Sequence, residues 1–141
     1  MIEVRVAVTD QEKSDVYSVR RQVFIIEQEV PEEIEVDDKE AESIHFIAYD
    51  GEKAVGAGRL RIEGSSAKAE RVCVLSDQRG RGIGAEIMKK MEQYSIENSL
   101  QTLKLNAQIQ AEVFYKRLGY KTISDTFYDA NILHVTMSKQ F

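Results

Sequence analysis

The chain has 141 residues, 43% of them hydrophobic and 30% charged, with one proline and a net charge of −5. These values describe one folded domain, residues 1–141, large enough to bury a core, and they exclude a disordered or collagen-like chain. No apolar run reaches the length of a membrane span and the first residues lack a signal-peptide core; a lone cysteine closes no disulfide, and with two histidines it offers no metal-ligand spacing. A cytoplasmic protein with no metal and no membrane role is the expectation.

Nine of the 24 acidic residues lie between Glu27 and Glu42, where Lys39 is the only cation. The remainder is mildly positive, which suits an anionic cofactor but lacks the basic stripe of a nucleic-acid binder.

The chain opens with Ile2, Val4, Val6 and Val8 alternating with polar residues, a half-buried strand. Thr9 or Asp10 is placed to cap a helix carrying Val16, Val19, Val23 and Ile26 on one face, and Pro31 marks its outer limit. The acidic stretch to Glu42 reads as a loop with one helical turn. Residues 44–49 and 54–62 flank Asp50-Gly51 as a hairpin, and Gly64-Ser65-Ser66 turns into a buried, β-branched strand at 69–75. Beyond a glycine-rich turn, Ile83, Ile87, Met91 and Tyr94 recur at helical spacing. A strand at 102–106 and a helix over 111–118 follow, the latter stopped by Gly119; residues 120–126 and 132–137 form a closing antiparallel pair. The order is β-α-(β-β-β)-α-β-α-β-β, an α+β protein with a mixed central sheet and helices on both faces.

The glycine turn, Arg79-Gly80-Arg81-Gly82-Ile83-Gly84, carries the chemistry. Glycines let the backbone approach a ligand, and the free amides at a helix start favour anions. A P-loop needs a lysine and Ser or Thr after the last glycine, but Ala85 and Glu86 stand there. A dinucleotide fingerprint is formally matched by Gly80, Gly82 and Ala85, yet four residues separate it from the strand, and the next strand ends near Asn106 rather than at an acid. The third pattern, R/Q-x-x-G-x-G/A, is complete in Arg79, Gly82 and Gly84. It resembles the pyrophosphate-binding motif of the GNAT family of acetyl-CoA-dependent N-acetyltransferases. A second signature, A-x-x-[FL]-Y-x-x-x-G-[FY], runs from Ala111 through Phe114 and Tyr115 to Gly119-Tyr120 in the family's order and spacing. The resemblance then covers nearly the whole chain, and the element order is similar to the GNAT fold.

The resemblance implies acetyl-CoA as cofactor and a small-molecule primary amine or amino sugar as acceptor, acetylated by direct attack. A protein N-terminus or lysine is the alternative acceptor, and a non-catalytic CoA-binding sensor the rival from another class. It further implies that Val72, Cys73 and Val74 pair with pantetheine, with the Val74 amide polarising the thioester carbonyl, and that Arg79, Gly80, Arg81, Gly82, Ile83, Gly84 and Ala85 hold the pyrophosphate. Asn106, Gln108 and Phe114 join the cofactor set; Gln108 stands where the family often has Asn, which leaves open which amide touches the cofactor. Tyr115 matches the general acid. His134 resembles the base of the small bacterial branch that includes glyphosate N-acetyltransferase, imidazole being the side chain suited to proton exchange near neutrality, and Glu70 is the alternative base. Cys73 among valines reads as a small buried hydrophobe rather than a nucleophile.

On the acceptor side, Arg20, Arg21 and His45 are candidates, since a guanidinium forks onto carboxylate or phosphate. The segment from Arg20 to Asp38 is similar to the R-x-x-V-F-x-x-E-Q-x-V-P stretch of the ElaA-like branch, and its acidity reads as surface solubility rather than substrate attraction. Oligomeric state is open, a homodimer included.

Overall fold

A computed structural model describes all 141 residues. Strand β1 (Ile2–Val6) leads into α1 (Asp10–Arg20), whose Thr9 cap and Glu12 close a reciprocal capping box. The helix continues as a π-helical segment, Arg21–Glu27, and after Pro31 a single turn, α2 (Glu32–Glu35), follows. An i→i+5 ladder takes up more residues per turn than an α-helix, so the apolar register slips. Val16, Val19 and Val23 are buried as expected, but Ile26 is turned out to solvent.

Strands β2 (Ile44–Asp50), β3 (Lys53–Glu63) and β4 (Ser66–Val74) form an antiparallel meander, and β5 (Thr102–Gln108) runs parallel to β4 after the crossover through α3 (Ile83–Glu97). The short α4 (Glu112–Arg117) precedes β6 (Lys121–Thr122), β7 (Phe127–Asp129) and β8 (Ile132–Gln140). The eight strands make one sheet in the order β1-β2-β3-β4-β5-β8-β6, with β7 paired to β8. In place of the single strand expected over 120–126 there are two short strands, at 121–122 and 127–129, both pairing with β8. β7 and β8 meet through a two-residue turn at Ala130 and Asn131, both at positive φ, the geometry whose twist matches a hairpin.

Each face of the sheet buries its own apolar cluster. On one, α1 lays Val16 and Val19, with Val23 just beyond it, against Ile47, Tyr49, Ala57 and Cys73. On the other, Ile83, Ile87, Met88 and Met91 of α3 join Phe46, Leu60, Leu103, Leu105, Met137 and Tyr115. Gly58 permits that contact, because a Cβ there would stand 2.5 Å from the Met91 methyl. No helix is long and apolar enough to cross a membrane.

Two irregularities in β4 position the site. Its pairing with β5 lasts only from Ser66↔Thr102 to Ala69↔Leu105, after which the strands part. At the same level a β-bulge opposes Arg71 and Val72 to the single residue Gly58 of β3 and puts Arg71 at φ 56, a left-handed conformation that costs a non-glycine residue about 1 kcal/mol.

Candidate active site

Where β4 and β5 diverge, a cavity of about 790 Å³ opens. Val72, Cys73 and Val74 line it on the β4 side, past the last residue that pairs with β5. Leu105, Asn106, Ala107 and Gln108 line it from β5, Phe114 and Tyr115 from α4, and His134 from β8.

The glycine turn closes one end. Gly80 and Gly82 adopt φ 81 and φ 77, which L side chains rarely take, and the space a Cβ would enter is open at both. Gly82 caps α3 without a side-chain bond, so the first amides of a 15-residue helix have no capping partner and carry the positive end of its dipole. Gly84 is a glycine for another reason: a Cβ there would lie 3.2 Å from the tip of Phe114. Arg79 reaches back, donating from Nε to the Val74 carbonyl at 3.2 Å and forking both terminal nitrogens onto Glu27 at 2.7 and 2.8 Å. Two members of the expected cradle are not on this wall. Arg81 turns away to Asp50, 3.0 Å from its Oδ2, and to Gln78, while Ala85 sits in the first turn of α3 outside the lining.

Tyr115 is buried, edge-on to Phe114 and Tyr120. Burial, with a smaller contribution from Cys73, raises its phenol above the ordinary range, so it stays protonated in any ordinary buffer. His134 donates from Nδ1 to the Ile132 carbonyl at 2.7 Å and stacks on Phe127, which leaves Nε2 as the ring's acceptor in the neutral form. Only one buried side-chain polar atom in the protein is both unpartnered and sealed from solvent, His45 Nδ1. The Tyr115 hydroxyl and His134 Nε2, neither of which is bonded within the chain, are therefore open to the cavity they line.

Cys73 is buried, and burial pushes its thiol up to about 12, so the thiolate is absent near neutrality. Of the two amides, Asn106 accepts from Thr136 Oγ1 at 2.9 Å through Oδ1, which frees its NH₂ group; Gln108 is committed to Gln28, donating to it at 2.9 Å.

Glu70 lines the cavity but is a counter-ion. It accepts from Arg61 Nε at 2.7 Å and Arg59 Nη2 at 2.9 Å, and although burial alone would raise its pKa, these two guanidiniums hold the carboxyl below its ordinary value. A carboxylate so stabilised is a weak proton acceptor, which favours His134 over Glu70 as the base.

The acceptor-side expectations are corrected more fully. Arg20 is wholly buried and spent on Glu35 and Glu40; Arg21 points to solvent beside Glu32; His45 gives Nε2–H to the Glu40 carbonyl at 3.0 Å and borders a separate groove with Tyr17 and Lys13. None of the three lines the cavity. Nor is the acidic segment solvated throughout. Glu35, Asp37 and Glu40 fold inward to neutralise Arg20, Arg59 and Arg71 at 2.8 Å each, because arginines on α1, β3 and β4 are taken out of water and need charge partners.

Among the cavity residues that sequence reasoning missed are Arg71, Glu27 and Gln28. Arg71 owes its place to the β-bulge, for which an arginine gives no signal. Glu27 and Gln28 lie inside the E-Q-x-V-P stretch, a recognisable marker, but their reach across the cavity depends on where the π-helical segment ends, at Glu27.

Residues 7–141 match the family model described as acetyltransferase (GNAT) domain. The chain belongs to this family. YjcF of Bacillus subtilis, described as an uncharacterized N-acetyltransferase, is 44% identical over 135 residues, 95% of this chain and 96% of its own. Among solved structures, Escherichia coli ElaA superposes with a TM-score of 0.87 at 19% identity, covering 99% of this chain and 100% of its own. An acyl-CoA N-acyltransferase from Pseudomonas aeruginosa superposes with a TM-score of 0.84 at 22% identity, over 99% of both chains. At such identities the two structures establish the shared fold.

Proposed function

We propose that this GNAT protein transfers the acetyl group of acetyl-CoA to the primary amine of a small molecule by direct attack. The observation that carries this reading is the gathering, in one cavity, of an open glycine turn, a stretch of β4 unpaired on its β5 side, a protonated Tyr115 and an imidazole acceptor on His134. A solved neighbour of the same fold, an aminoglycoside 6'-N-acetyltransferase, is complexed with coenzyme A (TM-score 0.76, 16% identity), which supports the cofactor assignment.

The residues fit that cofactor by their chemistry. Gly80, Gly82 and Gly84, with the uncapped amides at the start of α3, offer an anion cradle for a pyrophosphate. The backbone of Val72, Cys73 and Val74 offers a strand edge for an extended pantetheine arm, and the Asn106 NH₂ group is a free donor beside it. When bound, the cofactor supplies an acetyl thioester. His134 Nε2 takes a proton from the acceptor ammonium, with Nδ1–H held on Ile132 so that the ring presents its lone pair. The Tyr115 hydroxyl would give a proton to the departing sulfur and recover, through solvent, the second proton that the acceptor nitrogen sheds as the amide forms. Cys73, protonated and buried, takes no covalent part.

Thermal unfolding with added ligand tests the cofactor: acetyl-CoA should raise the melting temperature while NADH and ATP at equal concentration do much less. Thiol release from acetyl-CoA over a panel of small amines, amino sugars and peptides then tests the acceptor class. Turnover confined to peptides would move the acceptor to protein amines, and cofactor binding without turnover on any amine would make the protein a sensor.

A further inference from the structure

Two consecutive residues, Glu27 and Gln28, grip opposite sides of the split in the sheet. Glu27 meets Arg79, in the loop beyond the end of β4, through two parallel hydrogen bonds of 2.7 and 2.8 Å. Gln28 exchanges side-chain amide bonds with Gln108, the last residue of β5, at 2.9 and 3.4 Å. The partners are 52 and 80 residues away in sequence, so neither contact follows from local geometry. All four side chains line the cavity. The segment thus spans the opening between the diverging strands as a strap, tied to one wall by charge and to the other by amides. It begins at the last residue of the π-helical segment and is followed by Glu29, at φ 58.

The chemistry of the charged tie is that of a ligand already in place. A carboxylate forked onto a guanidinium presents the same paired oxygens that a phosphate does. Of the two cations in the glycine turn Arg79 is the one on the cavity, and its third nitrogen, Nε, donates to the Val74 carbonyl.

We propose that Glu27 is an internal competitor for Arg79: its carboxylate occupies the guanidinium that the cofactor's pyrophosphate needs, and cofactor binding releases the strap. This rests on the acetyl-CoA reading above. Glu27 therefore weakens coenzyme A binding, and its removal tightens it. Because the pair is partly solvent-exposed, the expected gain is modest, about three- to tenfold in affinity.

Calorimetric titration with coenzyme A decides the matter in four proteins: the wild type, Glu27→Gln, Arg79→Met and the double variant. Both side chains are exposed enough for all four to fold, which circular dichroism verifies. Glu27→Gln should bind three to ten times more tightly than the wild type, and the same change in the Arg79→Met background should gain nothing, since the competition acts through Arg79. Glu29→Gln removes an equal charge two residues away and should alter affinity by less than twofold at 0.15 M salt, roughly the ionic strength at which exposed charges beyond about 8 Å are screened. Equal tightening by Glu29→Gln, tightening that persists without Arg79, or weaker binding by Glu27→Gln would each overturn the proposal while leaving the cofactor reading intact. A wild-type protein that binds no coenzyme A would overturn both.

Discussion

Arg20 and Glu40, twenty residues apart, meet in a two-pronged ion pair, Nη1 to Oε1 and Nη2 to Oε2, each at 2.8 Å, with the arginine wholly buried. Glu40 also accepts from Arg59 Nη1 at 2.8 Å, so one carboxylate joins α1 to β3 behind the wall of the cavity.

Burial alone would raise the Glu40 pKa, but the hydrogen bonds and charge of Arg20 and Arg59 bring it down to about 2. A folded-state value below the unfolded one means that this stability is present above the ordinary carboxylate range and is lost as pH falls from about 4.5 to 2. Glu40→Gln leaves two buried guanidiniums short of charge and should cost about 3 kcal/mol at neutral pH, roughly a 10 °C fall in melting temperature. It should also flatten the acid limb of a stability-against-pH curve. A variant that melts like the wild type at pH 7 would show the pair to be no better than solvated charges.

Tyr115→Phe keeps the ring against Phe114 and Tyr120 and removes only the hydroxyl. Turnover should fall by roughly tenfold to a thousandfold with coenzyme A affinity little changed. Because burial raises the phenol's pKa, ionisation of Tyr115 should contribute no falling limb to the rate below pH 10. Wild-type turnover in the variant, with chemistry shown to limit the rate, would make Tyr115 a packing residue only.

His134→Asn should lose most activity near neutrality and regain part of it at higher pH, where more of the acceptor amine is already neutral. Glu70→Gln is the comparison. It disturbs the Arg59 and Arg61 pairs and should lower stability, yet the pH-rate profile of the folded variant should keep its shape. The opposite outcome, an altered profile for Glu70→Gln and a normal one for His134→Asn, would return the base to Glu70.

Cys73→Ala probes direct attack. With the thiol pushed up to about 12, the variant should keep turnover within a few-fold of wild type, and mass spectrometry of the wild type after acetyl-CoA should find no acetyl adduct on Cys73. An adduct that forms and decays at the rate of turnover would instead establish an acyl-enzyme.

The residue sequence by itself determined whatever depends on spacing within one element. The glycine turn before α3, the face of α4 that carries Phe114 and Tyr115, the hairpin at Asp50-Gly51 and the capping of α1 at Thr9 are set by neighbours in the chain and were legible there. Charge could not be read the same way. The stretch from Glu27 to Glu42 has the composition of a solvated loop, and only the fold reveals that Arg20, Arg59 and Arg71 come together from three elements and draw Glu35, Asp37 and Glu40 inward. The same limit explains Arg20 and His45, whose side chains suit a ligand but are spent on Glu35 and Glu40. The bulge at Arg71, the register slip that exposes Ile26 and the reach of Glu27 and Gln28 across the split sheet were likewise decided by tertiary structure. Local geometry acts over a few residues of chain, whereas desolvation acts on whatever the fold brings into contact, and it is desolvation that chooses the partners of a buried charge.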